Sequence, residues 1–136
     1  MPPRPEETDV SPSDSCPCGS GRPFERCCGP VLAGRPAPSA ERLMRSRYTA
    51  HVLDDRDHLR ASWHPSTRPA EVVLEPGVEW LGLTVLGTER GGLLDEDGRV
   101  EFRARWRRHG TEGELHEISR FVREGRHWFY LDGLVP

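Results

Sequence analysis

The sequence predicts an α+β fold: helices packed against a curved antiparallel sheet, with a small cysteine-rich knuckle in front. Three observations predict it. Apolar residues recur at helical spacing only between residues 39 and 64, apolar and polar residues alternate after residue 78, and all 4 cysteines lie between Cys16 and Cys28.

Residues 1 to 15 carry prolines and acids with little that is apolar except Val10, which is the composition of a mobile tail. Residues 16 to 30 form the knuckle. Residues 31 to 38, with Gly34, Pro36 and Pro38, form a short stiff linker, and the main domain runs from 39 to 136. Ser39 is a suitable N-cap, and Glu41 places a negative charge in the first turn. Met44, Tyr48 and Val52 then repeat at a spacing of four with Leu43 beside them, so this helix has one apolar face. It breaks near Asp54-Asp55. A second, shorter helix aligns Leu59 with Trp63 and ends by His64, because Pro65 disfavours helical geometry in the residue before it.

Strands are expected over 78 to 88, 99 to 108, 114 to 123 and 127 to 132, separated by Gly91-Gly92, Asp97-Gly98, Gly110 to Gly113 and Glu124-Gly125. Connections this short join antiparallel neighbours. One strand puts Val100, Phe102, Ala104 and Trp106 on one face and Glu101, Arg103, Arg105 and Arg107 on the other. Residues 70 to 75 read as a further short edge strand.

A chain of 136 residues has room for one ordinary core, and 35% hydrophobic with 30% charged residues is the balance of a globular protein. No stretch approaches the roughly 20 apolar residues of a membrane span, and the first residues lack the apolar run of a secretion signal, so a cytoplasmic protein with reduced cysteines is expected. A net charge of -3 argues against a generally cationic, nucleic-acid-binding surface.

Cys16-Pro17-Cys18, eight intervening residues and Cys27-Cys28 set four thiols in a 13-residue window. Four thiolates close a tetrahedron around Zn²⁺ at about 2.3 Å per bond and leave no open position, which makes a structural site rather than a catalytic one. Gly19 and Gly21 permit the tight backbone such a loop needs. Disulfides and free thiols are the alternatives. A reducing compartment disfavours the first, and free thiols would be an odd cluster. Zinc is expected ahead of iron, although an S₄ set suits both.

The run Cys16-Pro-Cys-Gly-Ser-Gly-Arg-Pro-Phe-Glu-Arg-Cys-Cys-Gly29 resembles the SEC-C motif, which closes the SecA translocation ATPase, where it binds zinc and contacts partner proteins. Further on, Arg42 to Val52, Trp63 to Pro69, Glu79 to Val85, Ser119 to Glu124 and Trp128 to Gly133 resemble the YchJ family of uncharacterised bacterial proteins. That resemblance implies a nuclear-transport-factor-2-like cone, a curved sheet wrapped around helices. Several relatives carry a second SEC-C motif after the last strand, whereas the sequence ends at Pro136 without one, so a function needing two knuckles on one chain is not expected.

Some proteins of this fold do proton-transfer chemistry in the cone. The polar candidates here are Arg45, Arg47, Tyr48 and His51 on the first helix, His64, Ser66, Thr67 and Arg68 after the second, and His116, Glu117, Ser119 and Arg120 on a strand. Arg47, His64 and Arg120 are the possible pocket residues. Arg47 and His51 sit at the edge of the apolar face, and the plainer expectation is an ordinary edge position. His64 is expected to make a structural hydrogen bond, and the strand face with Arg120 reads as a pocket wall or, preferably, as a paired arginine-carboxylate network.

Three functions compete. In the first, the knuckle is a non-enzymatic surface that docks a protein partner. In the second, the cone binds or transforms a small molecule. In the third, Arg22, Arg26 and the stripe Arg103, Arg105, Arg107 and Arg108 meet RNA or the ribosome. The closed sulfur site leans away from an enzyme.

Overall fold

The computed structural model describes residues 10–136. Three helices precede four strands: α1 (Cys28–Leu32), α2 (Ala40–Leu53), α3 (Arg56–Ala61), β1 (Val78–Arg90), β2 (Asp97–Arg108), β3 (Thr111–Glu124) and β4 (His127–Leu134). The strands form one sheet in the order β1-β2-β3-β4, each antiparallel to the next.

Alternation fixes which face turns inward. Val100, Phe102 and Ala104 of β2 are buried, and across β3 Ser119 and Phe121 join them. The sheet curves because β1 has register shifts between Trp80 and Gly82 and between Val85 and Gly87, and β3–β4 has another beside Phe121. Each shift sets an extra residue on one strand, which bends it and tightens the twist. The β2–β3 turn places His109 and Gly110 at φ 51° and 78°, the left-handed pair of a type I′ hairpin, which matches the strand twist.

The concave face holds α2. Ser39 caps it by accepting a hydrogen bond from the Arg42 amide, and Leu43, Met44 and Tyr48 are buried against the sheet. Asp54 ends it in the left-handed region at φ 57°, and Asp55 then caps α3 through the His58 amide. Beyond α3 the backbone bridges to β4: the His64 amide donates to the Tyr130 carbonyl at 2.8 Å and the Tyr130 amide to the Ser62 carbonyl at 2.8 Å. Residues 70 to 75 form no strand. They pass as irregular chain over the edge of the cone, with Glu71 and Val73 exposed, so the expected edge strand is corrected to a covering loop.

The knuckle is not a separate body. Its four cysteines belong to the same buried cluster as Val31, Ala37, Ala40, Leu43, Met44 and Tyr48. Val31 and Leu32, expected as linker, are the last residues of α1. Part of the expected tail lies outside the described residues, but from Ser11 to Ser15 the chain is tied down: the Phe24 amide donates to Asp14 and the Glu25 amide to Pro12. No helix among the described residues is long and apolar enough to cross a membrane.

Candidate functional site

The cysteine loop closes on itself before any metal is considered. The Cys16 amide donates to the Arg22 carbonyl at 2.9 Å and the Gly19 amide to the Cys16 carbonyl at 3.1 Å, a tight turn that Gly19 (φ 78°) and Gly21 (φ 85°) permit. A 3-10 turn over Phe24–Arg26 delivers Cys27, and Cys28 opens α1. The four Sγ atoms lie within 4.8 Å of one another, and all four residues are buried. A tetrahedron with bonds of about 2.3 Å needs sulfurs about 3.8 Å apart. Cys18 and Cys27 stand at 3.5 Å. The cysteines are therefore positioned to bind a metal ion.

Two hydroxyls flank the sulfurs. Ser20 Oγ lies 3.1 Å from Cys27 Sγ, and Thr49 on α2 donates from Oγ1 to Cys28 Sγ at 3.3 Å. Arg45 donates to the Cys18 carbonyl at 2.8 Å while pairing with Glu41, so the helix grips the loop at two points. Among themselves the thiols compete for protons. Sharing with Cys16 and then Cys28 holds Cys18 far below the usual thiol range, and the same sharing, led by Cys16, drives Cys28 far above it. A divalent cation resolves that competition by making all four thiolates.

On the far side of α2 the sheet and helices bound a half-open cavity of about 410 Å³, lined by Met44, Tyr48 and His51 from α2, Trp63 after α3, Leu115, Glu117, Ser119 and Phe121 from β3, and Tyr130 from β4. The loop from Pro69 to Leu74 covers it. Arg47 also faces inward. Its Nη1 donates to the Leu59 carbonyl at 2.9 Å and to Ser62 Oγ at 2.6 Å, and its guanidinium lies 4.5 Å from the Tyr130 ring centre and 5.2 Å from that of Trp63. Burial holds Arg47 down to about 10, which leaves it charged at pH 7. Burial, with the Arg47 charge added, holds His51 down to about 4, so His51 is neutral there.

The three residues singled out as a possible pocket do not converge. Arg47 lines the cavity, but His64 and Arg120 do not. His64 holds the turn after α3, with Nε2 2.7 Å from Glu124 and Nδ1 2.7 Å from Ser66. Arg120 points out of the opposite sheet face and pairs with Asp132 at 2.6 Å, as strand alternation demands once Ser119 and Phe121 face inward. Thr67 and Arg68 bond the Leu131 and Trp63 carbonyls, and His116 bonds Glu101. The arginine stripe is matched by acids: Arg103 with Glu114, Arg105 with Glu112, Arg107 with Glu79 and Arg108 with Glu75. Sequence reasoning passed over Thr49, whose signal is its place one helical turn beyond Arg45. Nor does the sequence pair Trp63 with Arg47.

Two family models match the chain. The model of the YchJ middle NTF2-like domain covers residues 39–133, and that of the SEC-C motif covers residues 13–30. The chain belongs to the YchJ family. A UPF0225 protein of Xanthomonas oryzae pv. oryzae is 52% identical over 124 residues, spanning 89% of this chain and 95% of that one. A UPF0225 protein of Streptomyces coelicolor is 47% identical over 123 residues, 90% and 96% of the two chains. The solution structure of RPA3114, a SEC-C motif containing protein from Rhodopseudomonas palustris, aligns with TM-score 0.79 and 37% identity, covering 90% of this chain and 99% of that one. A crystal structure of a SEC-C motif containing protein from Psychrobacter arcticus aligns with TM-score 0.71 and 25% identity, covering 92% and 84%. The YchJ domain is thus an α+β cone with a cysteine knuckle packed on its helix.

Proposed function

We propose that this YchJ-family chain is a zinc-binding protein-interaction module of the cytoplasm. Cys16, Cys18, Cys27 and Cys28 hold Zn²⁺, and the knuckle, residues 16 to 30, presents a docking surface to a protein partner. The observation that carries the metal is the closed, buried set of four sulfurs, with hydroxyls already in hydrogen-bond contact with two of them. When bound, such an ion ties four chain positions together and offers no open coordination position for catalysis. What supports docking is the outer rim: Gly21, Arg22, Glu25 and Arg26 are exposed while every cysteine beneath them is buried.

Native mass spectrometry of freshly purified, reduced protein is expected to show one zinc per chain, and metal-free protein or an iron species overturns the zinc assignment. For docking, the double variant Arg22→Glu, Arg26→Glu keeps zinc and fold but loses the partner that the wild-type chain retains in affinity capture. Equal capture by both proteins overturns the docking surface.

A further inference from the structure

Arg47 is a partly buried, cavity-lining cation with three of its five hydrogen-bond donors unanswered. A guanidinium has five N–H donors. The two on Nη1 go to Leu59 and Ser62, whereas Nε and Nη2 have no hydrogen-bond partner among the described residues. No carboxylate among those residues forms an ion pair with it, although Glu117 lines the same cavity. Glu117 instead accepts from Ser119 Oγ at 2.6 Å and lies where a Cβ at Gly133 would overlap it. The unanswered Nε–Nη2 edge presents parallel donors, the geometry that takes a carboxylate bidentately. A second donor is unanswered at the same cavity: the buried indole Nε1 of Trp63 has no acceptor. An unpaired guanidinium edge that opens on the cavity, beside a buried indole N–H that also lacks an acceptor, points to an acceptor that comes from outside the chain.

The rest of the lining sets what that acceptor is attached to. Trp80, Phe102, Phe121 and Tyr130 give the cavity an aromatic wall, with Met44 and Leu59 between them. At about 410 Å³ it is the size of a small-molecule site and holds a ligand of about 10 to 20 heavy atoms. His51, neutral at pH 7, and Tyr130, which burial pushes up to about 12, bring no charge, and the carboxylates on the lining are Glu117, which accepts from Ser119, and the exposed Glu71 on the covering loop.

We propose that the cone binds a small aromatic carboxylate, its carboxylate on the Nε–Nη2 edge of Arg47 and within reach of Trp63 Nε1, its ring against the aromatic wall. This site is separate from the knuckle and does not depend on its docking role.

The test titrates full-length, zinc-loaded protein with 3-phenylpropionate and, in parallel, with the neutral 3-phenyl-1-propanol, following the Trp63 indole N–H by nitrogen-edited NMR. The acid is expected to give a saturable shift of that proton and to bind at least about tenfold more tightly than the alcohol, since the two differ only in the charged, bidentate end. Arg47→Lys, which keeps the charge but loses the fork, weakens the acid at least about tenfold. Ala104→Phe fills the cavity from β2 without touching Arg47 and abolishes the shift. If Arg47→Lys fails to fold, the ratio of acid to alcohol and the Ala104→Phe result decide alone. Equal affinities, a shift that survives Ala104→Phe, or no saturation by about 10 mM acid overturns the proposal. Zinc content is read in the same samples, so full metal with no ligand counts against the cavity and leaves the metal assignment standing.

Discussion

At the scale of single residues, the least conspicuous group does much of the organising. Thr49 is completely buried on α2 and gives its hydroxyl proton to Cys28 Sγ. A donor in that position stabilises negative charge on sulfur and fixes its direction, and outer-shell donors of this kind are worth about 10 to 100-fold in metal affinity. Thr49→Val preserves the shape and removes the donor. It is expected to weaken zinc binding about tenfold in competition against a chromophoric chelator while leaving the circular dichroism spectrum unchanged. An unchanged affinity means that the hydroxyl only fills space. Ser20 makes a comparable contact to Cys27 from within the loop, so hydroxyls from two different parts of the chain reach the sulfur cluster.

At the scale of elements, α3 packs beside α2 through polar atoms, and this makes the pair sensitive to pH. His58 places Nε2 2.9 Å from Ser46 Oγ, and burial, with the Arg47 charge added and Asp55 opposing, holds it down to about 4. His51 is held down to about 4 in the same way, with Asp54 opposing. Both folded-state values lie below the ordinary 6.5, so the unfolded chain binds more protons between pH 4 and 6.5. Stability is therefore full above pH 6.5 and falls as pH drops toward 4, by at most about 3 kcal/mol for each histidine. In denaturant titrations across that window, His58→Gln is expected to flatten the slope by roughly half, and an unchanged slope counts against the assignment. The elements themselves were largely legible. Ser39, Asp54-Asp55 and the glycine turns act locally, and α2 and the four strands follow them. Residues 70 to 75 were not legible as a loop, because Val72 to Leu74 have strand composition, yet they run along the cavity with Val73 exposed and form no strand. The site was legible where chemistry and spacing coincide, as at the cysteines. It was illegible where two distant elements meet: nothing in the sequence brings Trp63 and Tyr130 onto Arg47, and the pairing of Arg120 with Asp132 depends on the β3–β4 register.

At the scale of the whole molecule, the stiff linker with Gly34, Pro36 and Pro38 does not set the knuckle apart from the cone, because the two share one packed core. Ala37 is buried, the cysteines share one core with Leu43, Met44 and Tyr48, and Arg45 is bonded to the Cys18 carbonyl. The sulfur cluster and the cavity also lie on two sides of one helix, so an ion that fixes the first face of α2 steadies the frame of the second. All four tryptophans, at 63, 80, 106 and 128, belong to the cone and none to the knuckle, which makes their fluorescence a report on the cone alone. A metal that binds only the folded chain adds about 4 kcal/mol when its free concentration is about a thousandfold above its Kd. Removing it with a strong chelator under reducing conditions should therefore lower the tryptophan-monitored unfolding midpoint, and restoring zinc should return it. Circular dichroism of the sheet should move with the fluorescence in one transition, because one core joins the two parts. A midpoint that ignores the chelator, while metal analysis confirms that the ion has left, would show the knuckle and the cone to be energetically independent despite their contact.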